Sequence, residues 1–184
     1  ELEDINKPFR GWKISFFEGG IRVPFIVSWP DKISPGLTSN SAVHHFDIFP
    51  TIVSATKTTT SNKKELDGVN LLPYIKKENS DEPHETLFWR SGNHQSVLHK
   101  KWKYIVSKKE NKSWLFDTSV DPLEKNNLIE SHPKEAQKIE ELLVQFNSEQ
   151  KEPLFPSAFE APIMIDKYDG QAYEEGDEYI YWSN

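Results

Sequence analysis

The pattern of apolar and polar positions changes character along the chain. From Ile21 to Trp29 apolar residues run nearly unbroken. Such a run is typical of a strand that is covered on both faces, and it predicts a place inside a parallel α/β sheet. After a polar turn, residues 46–53 carry apolar side chains at helical spacing, and we expect Asp47 to cap this helix.

The second half of the chain has the pattern of an antiparallel sheet with one helix. Short β-like runs separated by turn residues predict strands at 86–90, 95–99, 103–106 and 113–117. Pro133 opens a predicted helix with one apolar stripe. The stripe comprises Ala136, Ile139, Leu142, Leu143 and Phe146. We expect this helix to cover one face of a small antiparallel meander.

Polar stretches divide the chain into three predicted parts. The stretch 76–85 is the best boundary, and a second polar connection spans 57–65. We therefore expect residues 1–83 to be the end of an α/β domain, 84–150 a sheet and helix subdomain, and 151–184 an extended acidic and aromatic tail. The tail residues expected to pack are Phe155, Phe159, Tyr168, Tyr173, Tyr179, Tyr181 and Trp182.

Composition excludes several classes of function. The chain of 184 residues has a formal net charge of -7, so we expect no nucleic-acid partner. It has no cysteine, which excludes disulfides and thiolate metal sites. No apolar run approaches a membrane span, so no membrane partner is expected. The start, Glu1 to Asp4, lacks the features of a signal peptide and is expected to be an internal cut.

The segment that carries most information is residues 11–24, GWKISFFEGGIRVP. Gly11 and the pair Gly19-Gly20 flank Lys13, which predicts a constrained loop that can aim one ammonium group. An ammonium donates three hydrogen bonds and suits the oxygens of an anionic ester. The alternative is a solvated surface lysine, the usual fate of this residue type.

Five segments together resemble the type I sulfatases, the arylsulfatase-like branch of the alkaline-phosphatase superfamily. Residues 8–24, PFRGWKISFFEGGIRVP, are similar to the family's PLRGGKGT-x-x-EGGIRVP. Residues 43–51, VHHFDIFPT, resemble SHIDLFPT, and 66–75 resemble LDG-x-x-LLP-L. Residues 102–105 resemble WKLI, and 115–128 resemble LYDL-x-x-DP-x-E-x-NNL. The chain departs from the family at Trp12, where a second glycine is common, and at 14–15, where Gly-Thr is common.

The resemblance implies the C-terminal portion of a sulfatase that hydrolyses sulfate esters. By this resemblance Lys13 corresponds to the lysine that binds the sulfate, and residues 1–83 correspond to the end of the catalytic α/β domain. The implied substrate is a sulfated carbohydrate or an aryl sulfate. A periplasmic, secreted or lysosome-like location is also implied.

The same resemblance implies partners that the chain lacks. The family's nucleophile is a formylglycine made within Cys/Ser-x-Pro-x-Arg, and its divalent cation, usually calcium, is held by Asp-Asp and Asp-Asn pairs. Neither the motif nor the pairs occur here. We therefore expect the remainder of the catalytic domain to supply both, and the chain alone to be inactive with no metal site of its own.

For other candidate residues, the sequence allows either a role in substrate binding or a structural role. His45 precedes a predicted helix and either faces the substrate or serves a structural role. Trp89 and Arg90 either line the mouth of the cleft or are a core and a solvated side chain. For Arg10, Arg22 and Glu18 we favour structural pairing over catalysis. The remaining histidines are expected to be solvated or capping: His44, His84, His94, His99 and His132.

Two other functions remain open. Relatives within the same superfamily cleave phosphate or phosphonate esters on similar scaffolds. A non-catalytic binding or interaction module, which would present the meander and the aromatic tail, is the second alternative. An interaction module should show no large exposed apolar patch, whereas a piece of a catalytic domain should expose the residues between Ile21 and Trp29.

Overall fold

The computed structural model describes residues 6–59, 65–152, 154–155, 157–168 and 170–183. They divide into two compact units: residues up to Pro24 together with those from Thr86 onward, and Phe25–Glu85. The three-part division expected from the sequence stays a prediction. In the structure, residues up to Pro24 pack with the sheet, and Phe17 is buried among sheet residues.

The first unit is built on a four-stranded meander. Its strands are β1 (Thr86–Ser91), β2 (His94–His99), β3 (Trp102–Ser107) and β4 (Lys112–Asp117). They lie in chain order, and each neighbouring pair is antiparallel. The predicted meander is confirmed to within a residue or two at each strand end.

One face of the meander is covered by a long helix, α4 (Pro133–Glu149). Its Ala136, Ile139 and Leu143 are buried against the strand residues Tyr104 and Leu115. Burying the Ile139 or the Leu143 side chain contributes about 1.5–3 kcal/mol. This arrangement confirms the expected helix on one face of the sheet.

The opposite face is covered by two other segments. Phe17, from the segment before the unit boundary, packs edge-on against Trp114 at 5.5 Å between ring centroids. A hairpin of β5 (Glu160–Met164) and β6 (Tyr179–Ser183) adds Ile165 and Ile180, which are 1% and 0% exposed.

The C-terminal stretch therefore differs from the extended tail that its composition predicts. Its buried contacts come from isoleucines that follow β5 and lie within β6. Phe155 and Tyr173 are exposed, which contradicts the expected packing for these two residues, whereas the Phe159 ring lies edge-on to that of Trp182 with centroids 6.3 Å apart.

The second unit contains a 3-10 turn (His45–Asp47), α2 (Ile48–Thr56) and α3 (Leu72–Ile75). The expected cap of α2 by Asp47 is wrong, because this carboxylate makes no capping bond to the helix. It accepts instead from the His44 and Val69 N–H groups at 2.7 and 2.9 Å. The carboxylate thus ties together two segments of the second unit.

The predicted strand between Ile21 and Trp29 is wrong for this chain. Ile21 ends the short helix α1 (Glu18–Ile21), and residues 22–29 are not part of a strand. Val23 and Ile26 are 73% and 88% exposed. A strand requires a neighbour for its hydrogen bonds, and the strands that the structure describes are paired elsewhere. In the described part of the chain, no helix is both long and apolar enough to cross a membrane.

Candidate functional site

Lys13 lies in a tight turn. The Ser15 N–H and Oγ–H both donate to the Trp12 carbonyl oxygen, at 3.0 and 2.9 Å, so Lys13 and Ile14 are the two central residues. Ile14 has φ 92°, the sign that the third position of a type II turn requires. A β-branched residue rarely adopts this conformation, and the turn therefore contains local strain at Ile14.

Two glycines allow the chain to close around this turn. Gly11 has φ 75°, and a Cβ there would lie 2.6 Å from Ser15 Oγ. A Cβ on Gly19 would overlap the Gly11 carbonyl oxygen. The Gly19 N–H donates to the Arg10 carbonyl at 2.7 Å and closes the loop at its base. The constraint expected from the glycines is thus present in the geometry.

The segment after the turn is anchored to the sheet through His94. The Phe16 N–H donates to His94 Nε2 at 3.1 Å, and the two rings are stacked with centroids 4.6 Å apart. His94 is 2% exposed, and burial lowers its pKa to about 4. The expectation of a solvated or capping side chain is therefore wrong for His94.

A buried ionic cluster holds Glu18, two residues further along the chain. Lys103 Nζ lies 2.7 Å from both Glu18 Oε1 and Glu124 Oε1, and the Lys103 and Glu124 side chains are fully buried. Glu124 Oε2 also accepts from the Glu18 N–H at 2.6 Å. Burial raises the pKa of Glu124, and Lys103 opposes this shift. Glu18 lies 3.6 Å from Arg22, so both residues have structural partners here.

Arg10 joins the base of the loop to the C-terminal hairpin. Its guanidinium donates to Asp166 at 2.8 Å and also to Glu178. A cavity of about 460 Å³ lies beside these groups, and Gly11 and Trp12 form part of its wall.

Lys13 itself is exposed, unlike the residues that surround it. Within the described residues its ammonium has no hydrogen-bond or ion-pair partner, and it does not line the cavity beside Trp12. The fold therefore fixes the backbone on both sides of Lys13 and leaves its side chain available to a group outside the chain.

His45 belongs to the second unit. It is exposed at the start of the 3-10 turn, with its ring centroid 4.3 Å from that of His44. Nearby, His84 Nε2 lies 2.8 Å from the fully buried Asp47 carboxylate. His84 is thus a structural partner of Asp47, and the expectation of a solvated side chain is wrong for it.

Trp89 and Arg90 are neighbours in β1 and therefore point to opposite faces of the sheet. Trp89 is in register with Ser96, on the face that the Lys13 loop and hairpin cover. Arg90 lies on the α4 side, where it donates to the Asn147 side chain and the Lys151 carbonyl. The two side chains do not share one surface.

Sequence reasoning missed the buried partners of the loop. Residues 121–126 contain Asp, Pro and Asn, which are typical of turns, and Asp121 accepts from the Lys125 and Asn126 N–H groups. Glu124 instead turns inward to Lys103. A charged lysine within an apolar strand pattern, as in WKYI, is the one signal that could have indicated this cluster.

The described residues offer no site for the cation or nucleophile that the resemblance implies. Among them, no group of three or more His, Asp or Glu side chains is arranged to hold a metal ion. The sequence contains no Cys/Ser-x-Pro-x-Arg motif in which formylglycine could form. The residues present therefore do not fit either group.

Comparison with known proteins identifies the family of the chain. Residues 11–152 match the family described as N-sulphoglucosamine sulphohydrolase, C-terminal. Steryl-sulfatase of Rattus norvegicus is 30% identical over 127 residues, covering 69% of this chain and 22% of the relative. N-acetylgalactosamine-6-O-sulfatase of Bacteroides thetaiotaomicron is 27% identical, covering 73% and 29%.

Solved structures share the architecture. One, from work on the metabolism of multiple glycosaminoglycans by Bacteroides thetaiotaomicron, has a TM-score of 0.65 and 26% identity, covering 76% of this chain and 32% of its own. Ps i-CgsB shares the fold with a TM-score of 0.71 at 23% identity, covering 82% and 34%. The chain thus spans about a fifth to a third of the length of these proteins. It belongs to the sulfatase family and corresponds to the C-terminal portion of its members.

Proposed function

We propose that this chain is the C-terminal part of a sulfatase that hydrolyses sulfate esters, and that Lys13 binds the sulfate group. The observation that carries the proposal is the contrast between a firmly held turn and the exposed, internally unpartnered ammonium at its tip. A buried scaffold that presents one lysine ammonium group to the outside is suited to an anionic ligand.

The chemistry assigned to Lys13 is electrostatic. Its ammonium donates hydrogen bonds to the sulfate oxygens and stabilises the charge that develops while the S–O bond breaks. Preorganisation matters because a donor that is already in place does not have to be ordered at the moment of reaction. The turn at Ser15 and the loop closure at Gly19 supply this order.

The nucleophile and the cation are assigned to the remainder of the catalytic domain. We propose that formylglycine and calcium are held there, because the residues of this chain fit neither. On this proposal the chain alone does not turn over substrate.

Exposed apolar side chains support the proposal that this chain packs against another part of a catalytic domain. Ile26 is 88% exposed, and Phe49 and Ile52 of α2 are 52% and 55% exposed. Large apolar side chains that remain in water mark surfaces that normally pack against another part of a protein. This observation favours a part of a catalytic domain over a stand-alone interaction module.

The proposed substrate is a sulfated carbohydrate or an aryl sulfate. The name of the Bacteroides relative, N-acetylgalactosamine-6-O-sulfatase, indicates a sulfated sugar for that protein. We assign contacts with the organic group to His45, which is exposed, and to Trp89, which shares a sheet face with the Lys13 loop. Arg90 is the weakest of these candidates, because it bonds to the end of α4.

The test compares the chain alone with a polypeptide that joins it to the N-terminal part of a sulfatase catalytic domain from the same protein. Both are assayed on an aryl sulfate and on the matching aryl phosphate. The proposal expects activity only in the joined protein and a clear preference for sulfate. A preference for phosphate would favour the phosphoesterase alternative, and full activity of the chain alone would contradict the assigned division of roles.

A further inference from the structure

The C-terminal hairpin, defined here as β5, β6 and the connection between them, contacts the loop that carries Lys13. We propose that this hairpin is a clamp that fixes the orientation of the Lys13 turn, and that Arg10 and Trp12 are positioning residues through which it acts. This inference rests on the role proposed for Lys13.

The first contact is an ionic one at the base of the loop. Arg10 Nε and Nη2 donate to the two carboxylate oxygens of Asp166 at 3.0 and 2.8 Å, a paired geometry that fixes direction as well as distance. The same guanidinium donates to Glu178 on the other side of the hairpin connection. The Arg10 side chain is only 14% exposed, whereas its partners Asp166 and Glu178 are 54% and 39% exposed, so water reaches the carboxylate side of both pairs.

Glu178 is itself held in place. Its other carboxylate oxygen accepts from Trp114 Nε1 of β4 at 3.0 Å. Burial alone would raise the pKa of Glu178, but hydrogen bonds from Arg10 and Trp114 outweigh it and lower the pKa. Glu178 therefore stays ionised at neutral pH and connects Arg10 to the sheet.

The second contact is made by the residue directly before Lys13. Trp12 Nε1 donates to the Met164 carbonyl at the end of β5 at 2.8 Å. The Trp12 ring also lies against Tyr168, with centroids 5.9 Å apart. The backbone carbonyl of this tryptophan is the acceptor of the turn at Ser15. Any movement of Trp12 would thus be transmitted to the turn.

The hairpin provides a firm base for both contacts. Ile165 and Ile180 are buried in the same cluster as Trp114 and Phe116, and the Ile165 N–H donates to the Glu178 carbonyl at 2.9 Å. The hairpin lies beyond residue 152, where the family match ends. The clamp therefore lies outside the matched region, and it contacts the loop through residues flanking Gly11.

The clamp predicts that loosening it reduces turnover while the fold is kept. A turn that samples several orientations places the ammonium correctly for a smaller fraction of time, and small displacements of a catalytic group reduce rates by about 10²-fold. Because the sheet and α4 do not depend on these contacts, the melting temperature should change little.

The experiment uses Trp12→Phe, which removes the indole N–H, and Asp166→Asn, which removes the charge that faces Arg10. Glu160→Gln is the matched control. Glu160 is also in the hairpin, but it pairs with Lys109, which lies between β3 and β4. Hydrogen–deuterium exchange of the Ser15 and Gly19 amides is measured in the chain itself. We expect exchange at least about 10-fold faster in both variants and unchanged in the control.

The same variants are then assayed in the joined sulfatase. We expect kcat to fall about 10- to 100-fold with a smaller change in KM. Unchanged amide exchange would overturn the clamp, and so would faster exchange with unchanged kcat. An unaffected rate in Lys13→Ala would instead contradict the proposed function, and the exchange result would still decide whether the hairpin holds the loop.

Discussion

Lys103 Nζ lies 2.7 Å from Glu18 Oε1, although the two residues are 85 positions apart in the chain. The contact joins the start of β3 to the segment that follows the Lys13 turn. Glu124 completes the cluster from the loop after β4. Three separate parts of the chain therefore meet at one buried ammonium, which makes the cluster a structural support of the candidate site.

Replacing Lys103 by methionine should destabilise the first unit strongly. The substitution leaves the fully buried Glu124 carboxylate without its counter-charge, which costs about 3–5 kcal/mol, and it removes one of the two basic partners of Glu18. Urea unfolding followed by tryptophan fluorescence measures the change. Lys101→Met is the control, because the Lys101 side chain is half exposed and its partner Asp117 also accepts from Ser119, so the substitution should cost no more than about 1 kcal/mol. Equal effects of the two substitutions would contradict the importance of the buried cluster.

The stability of the first unit should depend on pH through His94. Its pKa is about 4 in the folded chain and ordinarily 6.5. The unfolded chain therefore binds more protons between these values, and the free energy of unfolding falls as the pH falls through this window. The slope due to His94 approaches about 1.4 kcal/mol per pH unit.

The measurement is urea unfolding of the wild-type chain and of His94→Phe at intervals from pH 4.5 to 7.5. The phenylalanine keeps a ring against Phe16 but cannot titrate. We expect the wild-type slope below pH 6.5 to exceed the slope of the variant, with parallel curves above it. Parallel curves over the whole range would show that His94 is not buried in its neutral form.

Replacing Asp47 by alanine should loosen the second unit. The His44 and Val69 N–H groups and the His84 ring would lose a shared buried acceptor. Unsatisfied buried donors of this kind cost about 1–3 kcal/mol. Amide exchange at Val69 should quicken in the variant, whereas the exposed Asp31→Ala should leave it unchanged. Protection of the Val69 amide at the wild-type level in Asp47→Ala would contradict this role.

Replacing Ile14 by glycine should be tolerated unusually well. Glycine adopts φ 92° without the steric cost that a β-branched residue has there, and relief of this strain is worth about 1–3 kcal/mol. This gain offsets the loss of the partly buried side chain. Thermal unfolding should show a change within about 1 kcal/mol, whereas Ile129→Gly, at a partly buried position packed against the α4 cluster, should cost about 2 kcal/mol or more. Similar losses at the two sites would contradict a strained turn.

The sheet and α4 could be predicted from the sequence because their signals are local. Strand periodicity from Thr86 to Asp117 and the apolar stripe from Ala136 to Phe146 each lie within one element. The constrained loop around Lys13 could also be predicted, because Gly11 and Gly19 are required by the backbone close to them in the chain. These features do not depend on which distant segment packs against them.

The failures share one physical cause, which is dependence on partners far away in the chain. The run from Ile21 to Trp29 has strand composition, but a strand forms only where a neighbour completes its hydrogen bonds. Asp47 is of a residue type that often caps helices. Its carboxylate bonds to Val69 and His84 and does not cap α2. The pairing of Arg10 with Asp166 spans 156 positions, and no spacing rule connects them.

The central claim is that Lys13 binds the sulfate group during hydrolysis. It is tested most directly by the kcat/KM of Lys13→Ala for an aryl sulfate in the joined sulfatase, with Lys134→Ala, an exposed lysine on α4, as the control. We expect a loss of about 10²–10³-fold for Lys13→Ala, a wild-type rate for the control, and unchanged melting temperatures for both. A Lys13→Ala enzyme with the wild-type kcat/KM would contradict it.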